Sequence, residues 1–574
     1  MIYLSAQPDD TYFIWQLEIQ LKNFNSFSIN GEDIHVLIGF NEEKGLNHLY
    51  VDLSKRFEKY AKFFFYPDKR IRKQYVSSIR PHIIAQHFQV YTELGLEDIF
   101  YHDSDIIFTH ALPDFERLCK DDIWYLSDAH TYLDSTYIND KGDTVLEEMC
   151  EIVGISAKQV IENDNNAGGA QALIKKVDYK FWLKIELDSE NLYELLFENT
   201  KKYRAQFLKK KVKRNYVPIS SWCADMWALL WNGILVAQVK IDKDLDFCWP
   251  HNDHSAWYDN KIFHNAGVNH LQDKQYFFKG NFMEEDPYDY DFSFVSPQSC
   301  SYKYLEAVSE FSSDRVYSFE DVTFLMAVRV DSTDRLENIF ASLTYLTNNF
   351  KTNIILFEAD INSKIPVKDL PEGVTYIFKE DHNPIFLRQF YINRLSLAAE
   401  TNIVIKYDCD VIIAASQLNK AVLSIRHGES QLCYPYDGTF VNVAGALRKF
   451  FVKKPDIRCL FKYITIPNQS FTSYGGCQVL DREAYINAGM DNEAFNGWGH
   501  EDKELFKRFK ILGLEIKRQI GPLFHLDHKR LSNSHYFSEA EMKNSFKEYI
   551  KICRFNKPEL KTYISNWHKE NGKV

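Results

Sequence analysis

Apolar runs of strand length alternate with amphipathic stretches along the first hundred residues. The predicted strands are residues 1–6, 34–40, 62–66 and 98–101. Between them, residues 11–24 and 81–94 place apolar side chains at the spacing of one helix face, which predicts amphipathic helices. Strands that alternate with helices in this way are typical of an α/β fold with a parallel sheet.

The same order of elements returns after residue 320. The predicted strands are residues 321–330, 353–357, 375–378 and 403–407. Residues 335–346 and 385–399 are the predicted helices, and a polar DSTD loop follows the first strand. Since each half runs strand, acidic loop, helix, strand, we interpret the chain as two tandem copies of one α/β fold. The predicted domains are residues 1–310 and 318–540, followed by a basic tail at 541–574.

Composition and charge narrow the class of protein. Of 574 residues, 45% are hydrophobic and 26% charged, as in an average globular protein. The net charge of −12 argues against a nucleic-acid partner. The start, MIYLSAQPDD, lacks the features of a signal peptide, no apolar run is long enough to span a membrane, and the ten cysteines show no metal-type spacing. We therefore expect a cytoplasmic protein with free thiols.

Two stretches are basic on this acidic chain. Residues 201–214 carry eight basic side chains in fourteen, and residues 542–574 carry eight Lys or Arg against three Glu. They are solvated helix faces, or they contact an anionic acceptor or an anionic membrane surface. The second interpretation predicts peripheral association with the inner face of a membrane.

Two pairs of aspartates end apolar strands at equivalent places in the two halves. IFYHDSDIIF contains Asp103 and Asp105, and IVIKYDCDVII contains Asp408 and Asp410. Side chains at i and i+2 of a strand lie on one side, so both carboxylates of a pair can face one point, where they repel unless a cation lies between them. Mg²⁺ or Mn²⁺ suits such oxygen ligands. Solvated turn aspartates are the alternative, but two copies at strand ends favour metal sites.

A third constellation lies in FNGWGHED at residues 495–502. Two glycines flank Trp498, and Glu501 and Asp502 open a helix, where the helix dipole favours carboxylates. A flat ring beside a carboxylate offers a sugar both a stacking platform and a base for its hydroxyl group. Downstream, HLDH at 525–528 has two histidines that could complete the metal site begun by Asp410.

The combination of DCD, GWGHED and HLDH resembles the β-1,4-galactosyltransferase and chondroitin-polymerase type of GT-A glycosyltransferase, over about residues 320–535. GT-A domains are Rossmann-like folds that transfer sugars from nucleotide diphosphates. The resemblance implies that Asp410 and His528 hold Mn²⁺ or Mg²⁺ against UDP, with Asp408 and His525 as further ligands.

The same resemblance implies roles for the GWGHED residues. Asp502 would be the catalytic base, Glu501 would bind the acceptor or donor sugar, and Trp498 would be the stacking ring. Two departures leave the donor sugar open. His500 stands where galactosyltransferases usually have a small residue, and His525 occupies a position that methionine often holds in that family.

The first half resembles GT-A enzymes through LSAQPDD, DSD, NAGGAQ at 166–171 and FHNAG at 263–267. WCADM at 222–226 is similar to a segment of peptidyl serine and hydroxyproline α-galactosyltransferases. The resemblance implies a second metal held by Asp103, Asp105 and His264, with Asp225 near the donor and Trp222 as a stacking ring. A core helix for residues 222–227 and an ordinary loop role for His264 are the alternatives.

The resemblances also assign the binding of the UDP-sugar donor. In the first half the assigned residues are Gln7, Asp9, Asp10, Arg80, Ser104, Asn166, Gly168 and Gly169. In the second half they are Asp331, Glu358, Arg388, Cys409, Gly475 and Gly476.

The resulting prediction is a bifunctional enzyme with one Mn²⁺ or Mg²⁺ per domain. It transfers sugars from UDP-sugar donors to a growing polysaccharide or glycoconjugate, the second domain inverting the anomeric centre and the first retaining it. The alternative is one active C-terminal domain with a non-catalytic N-terminal domain that binds sugar or acceptor. A glycosidase with paired carboxylates does not explain two strand-end aspartate pairs.

Overall fold

The computed structural model describes residues 1–210, 215–313, 315–462, 469–470, 473–495, 499–529 and 538–570. The chain forms two compact units. The first unit contains Met1–Asp286 and Phe292–Phe311, and the second contains Pro287–Asp291 and Ser312–Val574. Trp498, and the stretch 211–214 of the first basic segment, lie outside the described residues.

The first unit alternates strands and helices from its first residues. Its strands are β1 (Ile2–Pro8), β2 (Ile34–Phe40), β3 (Lys62–Pro67), β4 (Asp98–Tyr101), β5 (Ile106–Phe108), β6 (Trp124–Asp128), β7 (Gly168–Lys175), β8 (Val239–Ile241), β9 (Phe247–Cys248) and β10 (Ile262–His264). Its helices are α1 (Thr11–Ser26), α2 (His48–Arg56), α3 (Ile79–Val90), α4 (Phe115–Leu118), α5 (His130–Leu133), α6 (Ser135–Asn139), α7 (Val145–Val153), α8 (Ala157–Glu162), α9 (Tyr179–Glu198), α10 (Thr200–Lys210), α11 (Ala224–Val236), α12 (Ala256–Asp259) and α13 (Cys300–Ser313).

The second unit repeats this alternation. Its strands are β11 (Tyr317–Val328), β12 (Phe350–Asp360), β13 (Val374–Glu380), β14 (Ile403–Tyr407), β15 (Val411–Ile412), β16 (Leu432–Tyr434), β17 (Phe440–Val443), β18 (Gln469–Ser470), β19 (Cys477–Asp481), β20 (Ile516–Arg518) and β21 (Leu523–Leu526). Its helices are α14 (Thr333–Asn349), α15 (Arg388–Ala398), α16 (Ala415–Arg426), α17 (Gly445–Lys453), α18 (Arg458–Phe461), α19 (Arg482–Asn487), α20 (Glu501–Leu512), α21 (Glu539–Arg554) and α22 (Lys557–Glu570).

The large sheets of the two units have the same topology. Within the described residues, the first sheet has the order β3-β2-β1-β4-β7-β6-β8 and the second has the order β13-β12-β11-β14-β19-β16-β20. In each, the first, second, third and fourth strands of the unit occupy the same places. The predicted α/β class with two sheet-containing halves is confirmed.

The sheets are mixed rather than purely parallel, which corrects the sequence-based expectation. β7 runs antiparallel to both β4 and β6, and β19 runs antiparallel to both β14 and β16. The repeating strand–helix pattern covers only the parallel strands at the start of each unit. β7 and β19 follow long intervening segments, so the alternation does not reveal their direction.

A small second sheet in each unit begins directly after the aspartate pair. β5 pairs antiparallel with β10, and β15 pairs antiparallel with β21. The register places Ile106 opposite His264 and Val411 opposite His525. In both units, therefore, the residue after the second aspartate pairs with a histidine on a late strand.

Local sequence explains why the acidic positions lie at the sheet edge. All residues of β14 are buried, and so are the last three of β4, so each strand runs through the core and ends at the aspartates. The first helix of each unit also begins there. The Asp10 carboxylate accepts a hydrogen bond from the Tyr12 amide at the start of α1, and Ser332 caps α14 through the Arg335 amide.

Two negative findings concern the described residues. None of the ten cysteines, all of which are described, forms a disulfide. Among the described helices, none combines the length and apolar character needed to cross a bilayer.

Candidate active sites

In the second unit, Asp410, His525 and His528 converge on one point. One ligand atom from each of the three lies within 4.8 Å of the others, and all three side chains are buried. The Asp410 carboxylate lies 3.1 Å from Nε2 of His528 and 3.8 Å from Nε2 of His525. Asp410 directly precedes β15, and β15 pairs with β21, the strand that carries His525, so this pairing brings Asp410 and His525 together. One carboxylate and two imidazoles form a donor set that suits Mn²⁺.

The two imidazoles are held with their Nε2 atoms toward Asp410. Nδ1 of His525 lies 2.9 Å from Oδ1 of Asn442, and Nδ1 of His528 lies 3.1 Å from the Lys529 carbonyl oxygen. When Nδ1–H donates to these oxygens, Nε2 of each ring carries a lone pair. Such outer hydrogen bonds orient imidazoles for metal binding.

A guanidinium group lies beside this cluster. Arg335 of α14 is 3.7 Å from the Asp410 carboxylate and donates to Asp331 over 3.0 Å. Although burial opposes ionisation of Asp410, His525, His528 and Arg335 hold its pKa below the usual range. The carboxylate is therefore ionised at neutral pH, as a metal ligand must be.

Asp408, also predicted as a ligand, is not part of this group. Its carboxylate forms an ion pair with Arg388 of α15. The structure thus divides the aspartate pair, with Asp410 facing the histidines and Asp408 facing Arg388. Cys409, between them, is buried, and burial raises the pKa of its thiol above the usual range.

The predicted base lies against the glycine pair. Gln478 of β19 donates a hydrogen bond to Oδ1 of Asp502 over 3.0 Å. A Cβ atom on Gly475 would lie 2.5 Å from Oδ2 of Asp502. Since any side chain would displace that carboxylate, glycine at position 475 permits the close approach. Gly476 follows with a φ of +86°, a conformation that also favours glycine.

Charged groups of both signs surround Asp502. Burial raises its pKa to about 6, while Lys406 and Arg388 oppose the shift and Asp408 and Asp491 add to it. Lys406 of β14 is itself buried in an ion pair with Asp491, at 2.7 Å. Two cations thus keep this carboxylate ionisable near neutral pH.

Glu501 neighbours Asp502 at the start of α20. Burial, followed by the negative charge of Asp502, raises the pKa of Glu501 to about 8. Two adjacent carboxyl groups of this kind titrate as a unit, so one proton is retained by the pair at neutral pH. The arrangement provides one ionised and one neutral carboxyl group side by side.

The first unit contains a second group of the same kind. Asp103, Asp105 and His264 each offer one ligand atom within 4.8 Å of the others. Nε2 of His264 lies 3.5 Å from Asp103 and 3.3 Å from Asp105. Lys279 forms an ion pair with Asp105. Burial opposes ionisation, but Lys279 and His264 hold the pKa of Asp105 below its usual range.

An arginine links Asp225 to this group. Arg80 of α3 forms ion pairs with both Asp103 and Asp225, the latter at 2.6 Å. The Tyr75 hydroxyl donates to Asp225 over 2.6 Å and lies equally close to the Trp222 carbonyl. Arg80 thus occupies the place that Arg388 has in the second unit, on the helix that precedes the aspartate-bearing strand.

The glycine pair of the first unit contacts the WCADM segment. A Cβ atom on Gly169 would lie 2.7 Å from the Met226 side chain, and one on Gly168 would lie 2.5 Å from Leu126. Trp222 is 61% exposed, with its ring 6.1 Å from that of Tyr75. The Trp222 side chain is therefore largely accessible to solvent.

The other predicted donor residues have structural contacts of their own. Gln7 donates to the Leu37 carbonyl, Asp9 accepts from the Asn47 amide, and Ser104 is buried. Asn166 lies 3.4 Å from the Ile241 amide.

Glu358 in the second unit is also tied by its neighbours. It is fully buried, and it accepts hydrogen bonds from the Tyr376 hydroxyl and the Lys364 amide. These contacts fix the Glu358 carboxylate at the end of β12.

Three charged residues near the sites had not been predicted from the sequence. They are Lys279, Arg335 and Lys406, all reported above. Lys279 begins a three-residue 3-10 helix, Lys279–Asn281, fifteen residues after His264, and so short an element leaves no periodicity in the sequence. Arg335 opens the predicted helix 335–346, whereas Asp331 lies in the polar loop before it, so helical spacing gave no signal for their pairing.

Comparisons with known proteins bear on the second unit. Residues 456–529 match the family model described as the N-terminal domain of galactosyltransferase. This stretch includes the glycine pair, Glu501, Asp502 and both histidines of the metal-type group. The match supports a glycosyltransferase, although it spans a small part of the chain. None of the curated proteins matches the sequence significantly.

Three solved structures are remote likenesses. The catalytic domain of Drosophila beta1,4galactosyltransferase 7 in complex with xylobiose has 17% identity over 36% of this chain, at a TM-score of 0.22. The chain spans 65% of that domain. A mycobacterial protein has 15% identity over 40% of this chain and 74% of its own, with a TM-score of 0.27. GalNAc-T7 with UDP, GalNAc and Mn²⁺ has 12% identity over 42% of this chain and 48% of its own, with a TM-score of 0.27. At these TM-scores the likenesses carry no argument about function.

Proposed function

We propose that the protein is a metal-dependent glycosyltransferase with two tandem GT-A domains, which passes sugars from UDP-sugar donors to a growing glycan. The observation that carries the proposal is the recurrence of one constellation. In each unit a strand-end aspartate meets a histidine of a late, register-matched strand, and an arginine from the preceding helix pairs with the first aspartate. The galactosyltransferase match to residues 456–529 supports the reaction class.

The donor atoms of both groups fit a hard or borderline divalent cation. Asp410, His525 and His528 would hold it in the second unit, and Asp103, Asp105 and His264 in the first. A cation bound there supplies charge neutralisation for the departing diphosphate. Arg335 and Lys279 add positive charge at the same places.

Asp502 is the proposed base of the second unit. The acceptor hydroxyl oxygen forms the new bond to the anomeric carbon, the bond from that carbon to the diphosphate breaks, and Asp502 takes the hydroxyl proton. One displacement of this kind inverts the anomeric centre. Glu501, neutral beside it, is suited to donate a hydrogen bond to a sugar.

For the first unit we propose a retaining transfer, with Asp225 held toward the site by Arg80 and Tyr75. The second candidate for this unit is a non-catalytic domain that binds sugar or acceptor. The ion pair between Asp225 and Arg80 favours the non-catalytic domain, since a carboxylate whose charge is balanced by an arginine would be a poor nucleophile in a retaining transfer.

The direct test of the reaction class is a screen for UDP release by the full chain. UDP-Gal, UDP-GalNAc, UDP-Glc, UDP-GlcNAc and UDP-GlcA are each incubated with Mn²⁺, with and without an oligosaccharide acceptor. We expect one or two donors to release UDP, faster with acceptor, and EDTA to stop the release. Cleavage of no donor under any condition would refute the proposal.

The pH dependence of transfer follows from the raised pKa of Asp502. A base with a pKa of about 6 is protonated and inactive below that pH, so kcat/KM is expected to rise through pH 6 and then level off. An unperturbed aspartate would give its rise near pH 4. Transfer rates are measured from about pH 4 to pH 8 with saturating Mn²⁺. A profile that is flat between pH 5 and pH 7 would contradict the assignment of Asp502.

A further inference from the structure

The outward side of α21 carries an apolar stripe. Met542, Phe546 and Ile550 follow one another at intervals of four residues and therefore lie along one side of the helix. Met542 is 40% exposed and Phe546 51% exposed. The Phe546 ring borders the His500 ring at 5.6 Å, yet about half of the Phe546 side chain stays exposed, so the stripe is only partly covered by its own unit.

A row of basic side chains runs beside this stripe. Lys543, Lys547 and Lys551 follow each apolar residue by one position, and Arg554 extends the row. A groove of about 440 Å³ lies between them, lined by Phe546, Lys547, Ile550, Lys551, Arg554 and Phe555. Within the row, Lys543 pairs with Glu539 at 2.6 Å, and Lys551 lies 4.0 Å from the centre of the Tyr563 ring. The surface thus combines aromatic and aliphatic groups with a basic row, part of which neighbouring side chains engage, on a chain whose net charge is −12.

The opposite side of α21 is anchored to the helix that carries the proposed base. Ser545 and Ile552 are buried. The Ser545 hydroxyl lies 3.3 Å from the amide of His500, and the Tyr549 ring stacks on the His500 ring at 5.6 Å. Since His500 directly precedes Glu501, α21 is fixed next to the start of α20.

We propose that one face of α21 docks onto the surface of an anionic phospholipid bilayer. This face consists of the apolar stripe and the basic row, that is, Met542, Phe546, Ile550, Lys543, Lys547, Lys551 and Arg554. The apolar side chains would enter the boundary between headgroups and acyl chains, and the basic side chains would pair with lipid phosphates. Basic amphipathic helices with an exposed aromatic residue bind membranes in this orientation.

The chemistry of the groove favours a bilayer over an anionic glycan. Its six lining residues offer hydrocarbon and positive charge, but no carboxylate or amide side chain to accept hydrogen bonds from sugar hydroxyls. The basic row is also extended, because residues 543 to 554 span roughly 16 Å along a helix. A bilayer surface can offer phosphate groups along the whole length of this row, whereas one compact ligand can contact only part of it.

Docking in this way would bring the start of α20 near the membrane. An acceptor that is itself lipid-linked would then be presented close to Asp502. The membrane proposal stands on the surface of α21 alone, so vesicle binding tests it whether or not the proposed sugar transfer is correct.

The test is co-sedimentation of the full chain with vesicles. Mixed phosphatidylglycerol and phosphatidylcholine vesicles are compared with phosphatidylcholine vesicles, at low and high salt. We expect binding to the anionic vesicles, little binding to the neutral ones, and weaker binding in high salt, because surface charges are then screened. Lys547→Glu combined with Lys551→Glu is expected to weaken binding roughly tenfold or more.

Two further variants separate this surface from net charge and from misfolding. Lys55→Glu with Lys59→Glu makes the same charge change on exposed residues of the first unit and should leave binding near the wild-type level. Phe546→Ser should weaken binding without changing charge. Far-UV circular dichroism verifies that each variant is folded.

Three results would overturn the proposal. They are absence of binding to anionic vesicles, equal loss in the control pair, and binding of a soluble polyuronate without binding to vesicles. The last result would identify the groove as a glycan site instead.

Discussion

Replacing Asp502 with asparagine is expected to lower sugar transfer by the second unit roughly 10²–10⁴-fold, the usual contribution of a general base. Asparagine keeps the shape of the side chain and can still meet Gln478, which lies 3.0 Å from Oδ1 of Asp502. It cannot accept the hydroxyl proton. UDP-sugar affinity should therefore change little, because the loss lies in the chemical step.

The measurement is the initial rate of product formation together with UDP-sugar binding by calorimetry. Glu483→Gln is the matched control, since Glu483 is an exposed carboxylate in the first turn of α19, away from the site. It should transfer at the wild-type rate. Near-normal transfer by the Asp502→Asn variant would reduce Asp502 to a carboxylate that merely stabilises the start of α20.

Asp105→Ala and Asp410→Ala are expected to abolish different transfers. Each substitution removes a buried carboxylate from one ligand group and leaves the other group complete. Effects at sites without shared contacts are nearly independent. Incubation with mixed UDP-sugars and an acceptor, followed by mass measurement of the products, should show one type of addition missing in each variant. The double variant should add neither sugar.

Asparagine variants at both positions guard against an effect on folding, because they keep the volume of each side chain. Loss of both additions after either single substitution would mean that the two units do not act separately. Unchanged products from Asp105→Ala would favour a first unit that binds sugar or acceptor without catalysis.

Much of the sheet structure was predictable because apolar runs of strand length are the strongest local signal in the sequence. Residues 34–40, 98–101 and 403–407 were predicted as strands with the bounds that the structure has. These strands are almost wholly buried, and their sequences are mostly apolar, with His35, Asp98 and Lys406 as the polar exceptions. The reversed direction of β7 and β19 was not predictable, because strand direction depends on tertiary connections that leave no periodic pattern.

The grouping of side chains was predictable where the proposed ligands lie at strand ends. A strand end fixes which side chains share a direction, so Asp105 and Asp410 could be identified from spacing alone. Spacing did not reveal that Asp408 turns to Arg388, since that depends on an arginine twenty residues away. Lys279 and Lys406 were missed for the same reason, because their partners are distant in sequence.

Titration of UDP into the full chain tests most directly whether each unit binds UDP through a divalent cation. With Mn²⁺ present, calorimetry should give two sites per chain, falling to one in the Asp410→Ala variant. In EDTA, the affinity should fall at both sites. Equal UDP affinity in Mn²⁺ and in EDTA would contradict the account.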